Sequence, residues 1–173
     1  MSIYTRSGDK GETGLFGGSR INKDDLRVEC YGCLDEANSF IGLAYSLIKS
    51  KDIKIILRNI QNKIFIAGAE LASDEKGKAY LKDTISQGDI EELEKIIDRY
   101  TEIVGPQKSF VIPGDTISSA SLHVSRTVVR RSERLMVALK SKLKVRKELY
   151  KYINRLSDVL FILARVEAET NRS

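Results

Sequence analysis

The sequence has few of the residues that fasten or stiffen a small protein: two cysteines, two prolines and one histidine in 173 residues. Two cysteines cannot build a disulfide framework, and so little proline excludes collagen-like and Pro-rich chains. Long apolar runs are missing as well. Stretches such as Ile64 to Ala67 and Val159 to Ala164 fall far short of the ~20 residues that span a bilayer, so no membrane role is expected. The N-terminal MSIYTRSGDK lacks the apolar core of a secretory signal, which points to a reducing cytoplasm. No fixed-period repeat or low-complexity tract occurs, and the expectation is one domain over residues 1–173.

What is present is an ordinary globular composition. Hydrophobic residues make up 42% and charged residues 31%, and a chain of this length buries roughly 68–70% of its unfolded surface. Lys and Arg total 29 against 24 Asp and Glu, a net charge of +5. That balance favours anionic partners without naming one, so the distribution of charge has to decide.

Residues 1–25 form a Gly-rich arm with no lasting apolar period, and are expected to be loop. From Leu26 the pattern changes to steps of three and four: Leu26, Cys30, Leu34, Ala37, Ile41, Ala44 and Ile48 mark a first helix. Ile53, Ile56, Ile60, Ile64, Ala67 and Leu71 mark a second. Ser86 and Asp89 have capping-box spacing ahead of a third, which Gly105-Pro106 closes. Phe110-Val111-Ile112-Pro113-Gly114 is expected to cross the structure extended. A fourth helix is predicted from about Ile117 to Lys140 and a fifth from about Val145 to Thr170. The expected fold is all-α: a five-helix up-and-down bundle, residues 26–173, behind the N-terminal arm.

The fourth helix carries an oddity. Ala120, Val124, Val128, Leu135 and Ala138 read as its apolar stripe, and the missing step falls on Arg131, as if a guanidinium interrupted the core seam. Arg126, Arg130, Arg131 and Arg134 place four of the 13 arginines within nine residues that contain no lysine. Arg126, Arg130 and Glu133 are spaced i, i+4, i+7 and share a face, and the guanidinium fork suits phosphate oxygens. Taken alone, the cluster fits either a polyphosphate site or a solvated face paired with neighbouring carboxylates. Asn154 and Asp158 offer a second polar pair on the fifth helix, for which structural hydrogen bonding between helices is the simpler reading. The arm Thr5-Arg6-Ser7-Gly8-Asp9-Lys10-Gly11-Glu12-Thr13-Gly14 could let backbone N–H groups approach phosphate, but it matches neither GxxxxGK[ST] nor GxGxxG, and taken alone a plain flexible tail is the simpler reading. His123 is assigned no role, and Cys30 and Cys33 read as buried, inert thiols. No Ser, His or Cys nucleophile constellation accompanies these cations. Either the site only binds, or the substrate brings its own nucleophile.

Three segments in this order resemble one family, the ATP:corrinoid adenosyltransferases of the propanediol-utilisation type: YTRSGDKGETGLFGG, YGCLDEANSFIG, and the pair SRTVVRRSER and NRLSDVLF. The resemblance runs from Tyr4 to about Ala164. It implies a helical bundle with ferritin-like packing, assembled as a homotrimer with sites between subunits. It implies ATP contacts from Thr5, Arg6, Ser7, Gly8, Thr13 and Lys23, completed by Arg130, Arg131, Glu133, Arg134 and Asn154, with Mg2+ on the phosphates and no protein metal-ligand set. It further implies that Asp35 pairs with Arg126 across the subunit boundary, that Phe110 lies beside the corrin ring of cobalamin, and that Asp158 belongs to the same region. Ser7 stands where the family often has threonine, and Asp115 follows Pro113-Gly114 where glycine is usual.

The reaction implied by that resemblance uses the cobalt of a reduced corrinoid as the nucleophile toward the 5′ carbon of ATP, which accounts for the missing side-chain nucleophile. A reductase and a cobalamin-dependent client enzyme would be partners. Two other classes are compatible with the basic helix: a nucleic-acid-binding protein whose affinity falls steeply with salt, and a module that senses ATP without turnover. Scattered basic residues and the lack of an aromatic-basic stripe argue against the first.

Overall fold

The structure is a computed structural model that describes Tyr4 and residues 6–170. Five long helices form the bundle: α1 (Leu26–Leu47), α2 (Lys51–Leu71), α4 (Gln87–Val104), α5 (Ile117–Leu139) and α6 (Lys147–Thr170). A four-residue α3 (Glu75–Lys78) interrupts the connection between α2 and α4. Each start has a local cause. The carboxylate of Asp25 accepts the Arg27 N–H, the Ser50 hydroxyl accepts the Ile53 N–H, and the Thr116 hydroxyl accepts the Ser119 N–H. Ser86 and Asp89 form the expected capping box, and α4 ends at Gly105 with φ 68°. No helix among the described residues is long and apolar enough to cross a membrane.

The helices pack in the order α2, α1, α5, α6, α4. Ion pairs from Lys63 to Asp89 and from Arg99 to Asp52 tie α2 to α4 and bring the two ends of that series together. A single hydrophobic core runs through Leu34, Ile41, Ile64, Leu122, Met136, Tyr152 and Leu160. At one end, the buried Glu70 carboxylate accepts the Ile85 N–H at 2.5 Å and Arg146 at 3.1 Å, while Arg146 also donates to the Ile85 carbonyl. The connection ahead of α4 is thereby pinned to α2 and to Arg146, the residue just before α6.

Three expectations change. The arm is not all loop: β1 (Glu12–Gly14) and β2 (Arg20–Asn22) form an antiparallel hairpin with Thr13 opposite Ile21. Strands of three residues are too short to carry a periodic signature in the sequence. The 110–114 segment forms no strand, and Phe110 and Ile112 are 97% and 83% exposed. Pro113 and the positive φ of Gly114 break it before a ladder can form.

The third correction concerns α5. Its buried seam is Leu122, Ser125, Val129, Ser132, Met136 and Leu139, stepping three and four alternately, whereas Val124 is exposed and Arg131 lies outside the core. Arg131 therefore does not interrupt the seam. Serine occupies it because α5 lies close against α1, where Cys30 and Cys33 are also small. Their thiols contact the Ser132 and Val128 carbonyls at 3.9 and 3.5 Å, and the Ser132 hydroxyl donates to the Cys30 carbonyl at 3.3 Å. The Ser125 hydroxyl bonds back to the Ser121 carbonyl, satisfying its polarity within the helix.

Candidate functional site

The arm is a docked element. The Phe16 N–H donates to the Ala72 carbonyl at 2.8 Å, and the Phe16 carbonyl accepts the Asp74 N–H at 3.0 Å. Asp74 then accepts from both the backbone N–H and the hydroxyl of Ser19, as well as from the Gly77 N–H at 2.8 Å. These bonds, that of the Ser19 hydroxyl first, hold the Asp74 carboxyl down at about 2. The approach is close enough to demand glycine. A Cβ on Gly17, where φ is +119°, would stand 1.7 Å from the Asp74 carboxylate, and one on Gly77 would stand 1.7 Å from the Phe16 carbonyl. Arg27 adds hydrogen bonds to the Leu71 and Ser73 carbonyls.

Beyond this latch, residues 6–11 turn back on the hairpin. Arg6 has φ 58°, the Gly11 N–H donates to the Gly8 carbonyl, and the Lys23 N–H donates to the Gly11 carbonyl at 2.8 Å. The Arg20 guanidinium reaches the Ser7 carbonyl at 2.7 Å and the Glu12 carboxylate at 3.1 Å. A Cβ on Gly8 would come within 3.0 Å of the Lys23 ammonium. Arg6, Ser7 and Gly8 thus share one turn, with Lys23, just after β2, beside Gly8 and with Thr13 in β1. Thr5 lies outside the described residues.

The α5 arginines divide by direction. Arg131 leans toward α1, where it pairs with Glu36 and donates to the Cys33 sulfur at 3.3 Å, a contact that raises its own pKa. Arg126 is half-buried toward α6, its guanidinium 5.9 Å from the centre of the Phe161 ring and its Nε 3.4 Å from His123 Nδ1. Burial first, and then Arg130, lower the pKa of Arg126. Glu133, also on the α6 side, accepts the Asn154 amide at 2.7 Å. Arg130 and Arg134 are exposed, and neither makes an ion pair among the described residues.

The remaining site residues are dispersed. Asp35 is on the exposed face of α1, Phe110 projects from the connection before α5, and Asp158 pairs with Arg155 at 3.5 Å on α6. No hydrogen bond or ion pair links the arm to residues 126–134 among the described residues. The two thiols are free and buried, and burial pushes Cys30 up to about 12 and raises Cys33. Neither supplies a thiolate near neutrality.

Sequence reasoning missed the Asp74 latch and the grouping of His123, Arg126 and Phe161. The latch had a signal in the Gly17-Gly18 pair, which marks close backbone approach. The grouping had one in the i, i+3 spacing of His123 and Arg126.

The class is that of helical bundles with a docked Gly-rich arm, here with Arg130 and Arg134 exposed on α5 and without an ion pair among the described residues. The family described as cobalamin adenosyltransferase matches residues 3–167, and the chain belongs to it. A corrinoid adenosyltransferase of Citrobacter freundii is 51% identical over 168 residues, covering 97% of this chain and 96% of that protein. One from Bacillus subtilis is 42% identical, covering 96% and 86% respectively. Among solved structures, a phenylalanine-to-alanine variant of a PduO-type ATP:corrinoid adenosyltransferase from Lactobacillus reuteri, complexed with cobalamin and ATP, aligns with a TM-score of 0.89 at 37% identity, covering 97% of this chain and 94% of that one. An arginine-to-lysine variant complexed with ATP aligns at 0.88 and 38% identity, covering 96% and 94%.

Proposed function

We propose that this chain transfers the 5′-deoxyadenosyl group of ATP to the cobalt of reduced cob(I)alamin. The Co(I) electron pair attacks the 5′ carbon, a cobalt–carbon bond forms, the carbon–oxygen bond breaks, and triphosphate leaves with its electrons. Family membership supports the reaction, and the α5 face carries its assignment to residues: Arg130 and Arg134 are exposed cations without a carboxylate among the described residues. The Cys33 thiol, bonded to Arg131, is buried and its pKa is raised, so it supplies no thiolate nucleophile near neutrality.

Arg6, Ser7, Gly8, Thr13 and Lys23, with Thr5, form one half of the nucleotide site in this reading. Arg130, Arg131, Glu133, Arg134 and Asn154 of a neighbouring subunit in a homotrimer form the other. The arm docks through Phe16 and Ser19 against Ala72 and Asp74, at the end of α2, whereas these arginines lie on α5, which is consistent with that arrangement. Asp35 pairs with Arg126 across the same boundary, and the lack of an ion pair to Arg126 among the described residues leaves its Nη groups available. Phe110 covers the lower face of cobalt and excludes an axial ligand, with Asp158 bordering the corrinoid. No group of three or more His, Cys, Asp or Glu residues fit to hold a metal occurs among the described residues. Mg2+ would be carried by the phosphate oxygens of ATP, where it would neutralise leaving-group charge. The protein's own contribution is orientation and preorganised positive charge, and no general base is required.

The arm and the bundle act as one domain, residues 1–173, in the cytoplasm, receiving electrons through a reductase and passing product to a cobalamin-dependent client. Anaerobic incubation with ATP and chemically reduced cobalamin tests the reaction: adenosylcobalamin and triphosphate should appear in equal amounts. ATP binding without either product would identify a nucleotide sensor and overturn the proposal.

A further inference from the structure

His123 is the only histidine in the chain and is 3% exposed. Its ring meets Phe161 edge-on at 5.9 Å with an interplanar angle of 65°. Its Nδ1 accepts from Arg126 Nε, so the proton of the neutral ring resides on Nε2. That Nε2 is buried with no hydrogen-bond partner among the described residues. A buried donor without an acceptor is unfavourable, and a phenylalanine would fill the same edge-on slot without the cost. Packing alone therefore does not explain a histidine here, whereas the contact to Arg126 uses the one feature phenylalanine lacks, an acceptor at the Nδ1 position. Arg126 in turn forms no hydrogen bond through Nη1 or Nη2 among the described residues.

We infer that His123 is a positioning residue for adenosyl transfer: as a neutral acceptor it fixes Arg126 by Nε, so that both Nη groups face outward to the corrinoid side and the neighbouring subunit. The inference rests on the proposed place of Arg126 in that site. Two charges act on His123, Arg126 on its own helix and Asp115 on the segment before it, while α6 meets it with the Phe161 ring. Burial first, then Arg126, lowers the pKa of His123 below its ordinary value of 6.5, and Asp115 opposes them. The ring is therefore neutral at pH 7. Acidification below the lowered pKa converts the acceptor into a second cation facing the guanidinium and releases Arg126.

The test has two arms. With one histidine, the imidazole proton resonances titrate as a single unambiguous NMR signal. Arg126→Met should move that titration to higher pH by removing the opposing cation; an unchanged titration would overturn the coupling, whether or not the protein turns over. In the kinetic arm, His123→Phe should raise the KM for the corrinoid roughly tenfold, as expected for losing a hydrogen bond to a charged group, with little change in the KM for ATP. His123→Asn, whose Oδ1 stands where Nδ1 stood, should recover most of that loss and abolish the acid limb of the KM profile. If the Phe variant matches wild type, or the Asn variant is no better than Phe and retains the acid limb, His123 is a packing residue. Absence of turnover in wild type would instead refute the proposed function and leave the NMR result to decide the coupling.

Discussion

Replacing Arg130 with alanine separates catalytic from structural use of the arginine face. The guanidinium is exposed and makes neither a hydrogen bond nor an ion pair among the described residues, so its removal leaves no buried group unsatisfied. Stability should stay within about 0.5 kcal/mol of wild type, as for surface positions without such features. A preorganised charge opposite a leaving group is worth about 2.7–4 kcal/mol of transition-state stabilisation, and triphosphate leaves with several negative charges. Arg130→Ala should therefore lower turnover by about 10²- to 10³-fold while the thermal midpoint is unchanged. Arg131→Ala provides the contrast, because Arg131 is tied to Glu36 and Cys33 and its loss removes contacts between α1 and α5. The assay is anaerobic formation of adenosylcobalamin at saturating ATP, with calorimetry on the same samples. Near-normal turnover of Arg130→Ala would refute the placement of the triphosphate.

Phe110→Ala should leave stability unaltered, since the ring is 97% exposed, yet abolish the absorption and magnetic-resonance signature of four-coordinate Co(II) in the bound corrinoid and slow adenosylation. A full signature and rate in the variant would remove Phe110 from the lower face. Asp35→Asn should weaken subunit association and corrinoid affinity together, and unchanged sedimentation and affinity would count against the pairing with Arg126. Gly17→Ala should undock the arm, because its Cβ meets the Asp74 carboxylate at a backbone angle alanine resists; the amides of Phe16 and Ser19, which bond to Ala72 and Asp74, would then exchange faster, and unaltered exchange would disprove the latch. The Asp74 carboxyl sits at about 2 against an ordinary 3.8, so its contribution to arm docking is complete above pH 3.8 and is lost as pH falls toward about 2. Asp74→Asn should loosen the arm at neutral pH and remove that acid dependence from the same amides.

The long helices were legible because burial writes itself into sequence at a period of 3.6, and α1 and α2 follow their apolar steps almost to the residue. The Ser86 capping box was equally plain, its geometry being local. The seam of α5 was misread for a physical reason. Close packing against Cys30 and Cys33 requires small side chains, and serine meets that requirement by bonding back to its own helix, so hydropathy pointed to the wrong stripe. The hairpin was illegible because its strands hold three residues each and are stabilised by contacts with Ala72 and Asp74, far away in sequence. At the site, residue types and spacing disclosed cations suited to phosphate. Which of them are committed within the chain, Arg131 to Glu36 and Arg126 to His123, became visible only with side chains in place.

In the proposed assembly, the arm of one subunit and the α5 arginines of the next build a single nucleotide site. Subunits carrying Lys23→Ala and subunits carrying Arg130→Ala, each nearly inactive alone, can be unfolded, mixed in equal amounts and refolded together. A site shared between neighbours regains an intact pair of surfaces at random in about a quarter of the sites, so the mixture should recover about a quarter of wild-type turnover. Turnover no higher than that of the two parents would contradict the account, because it would place both surfaces in the service of the same chain.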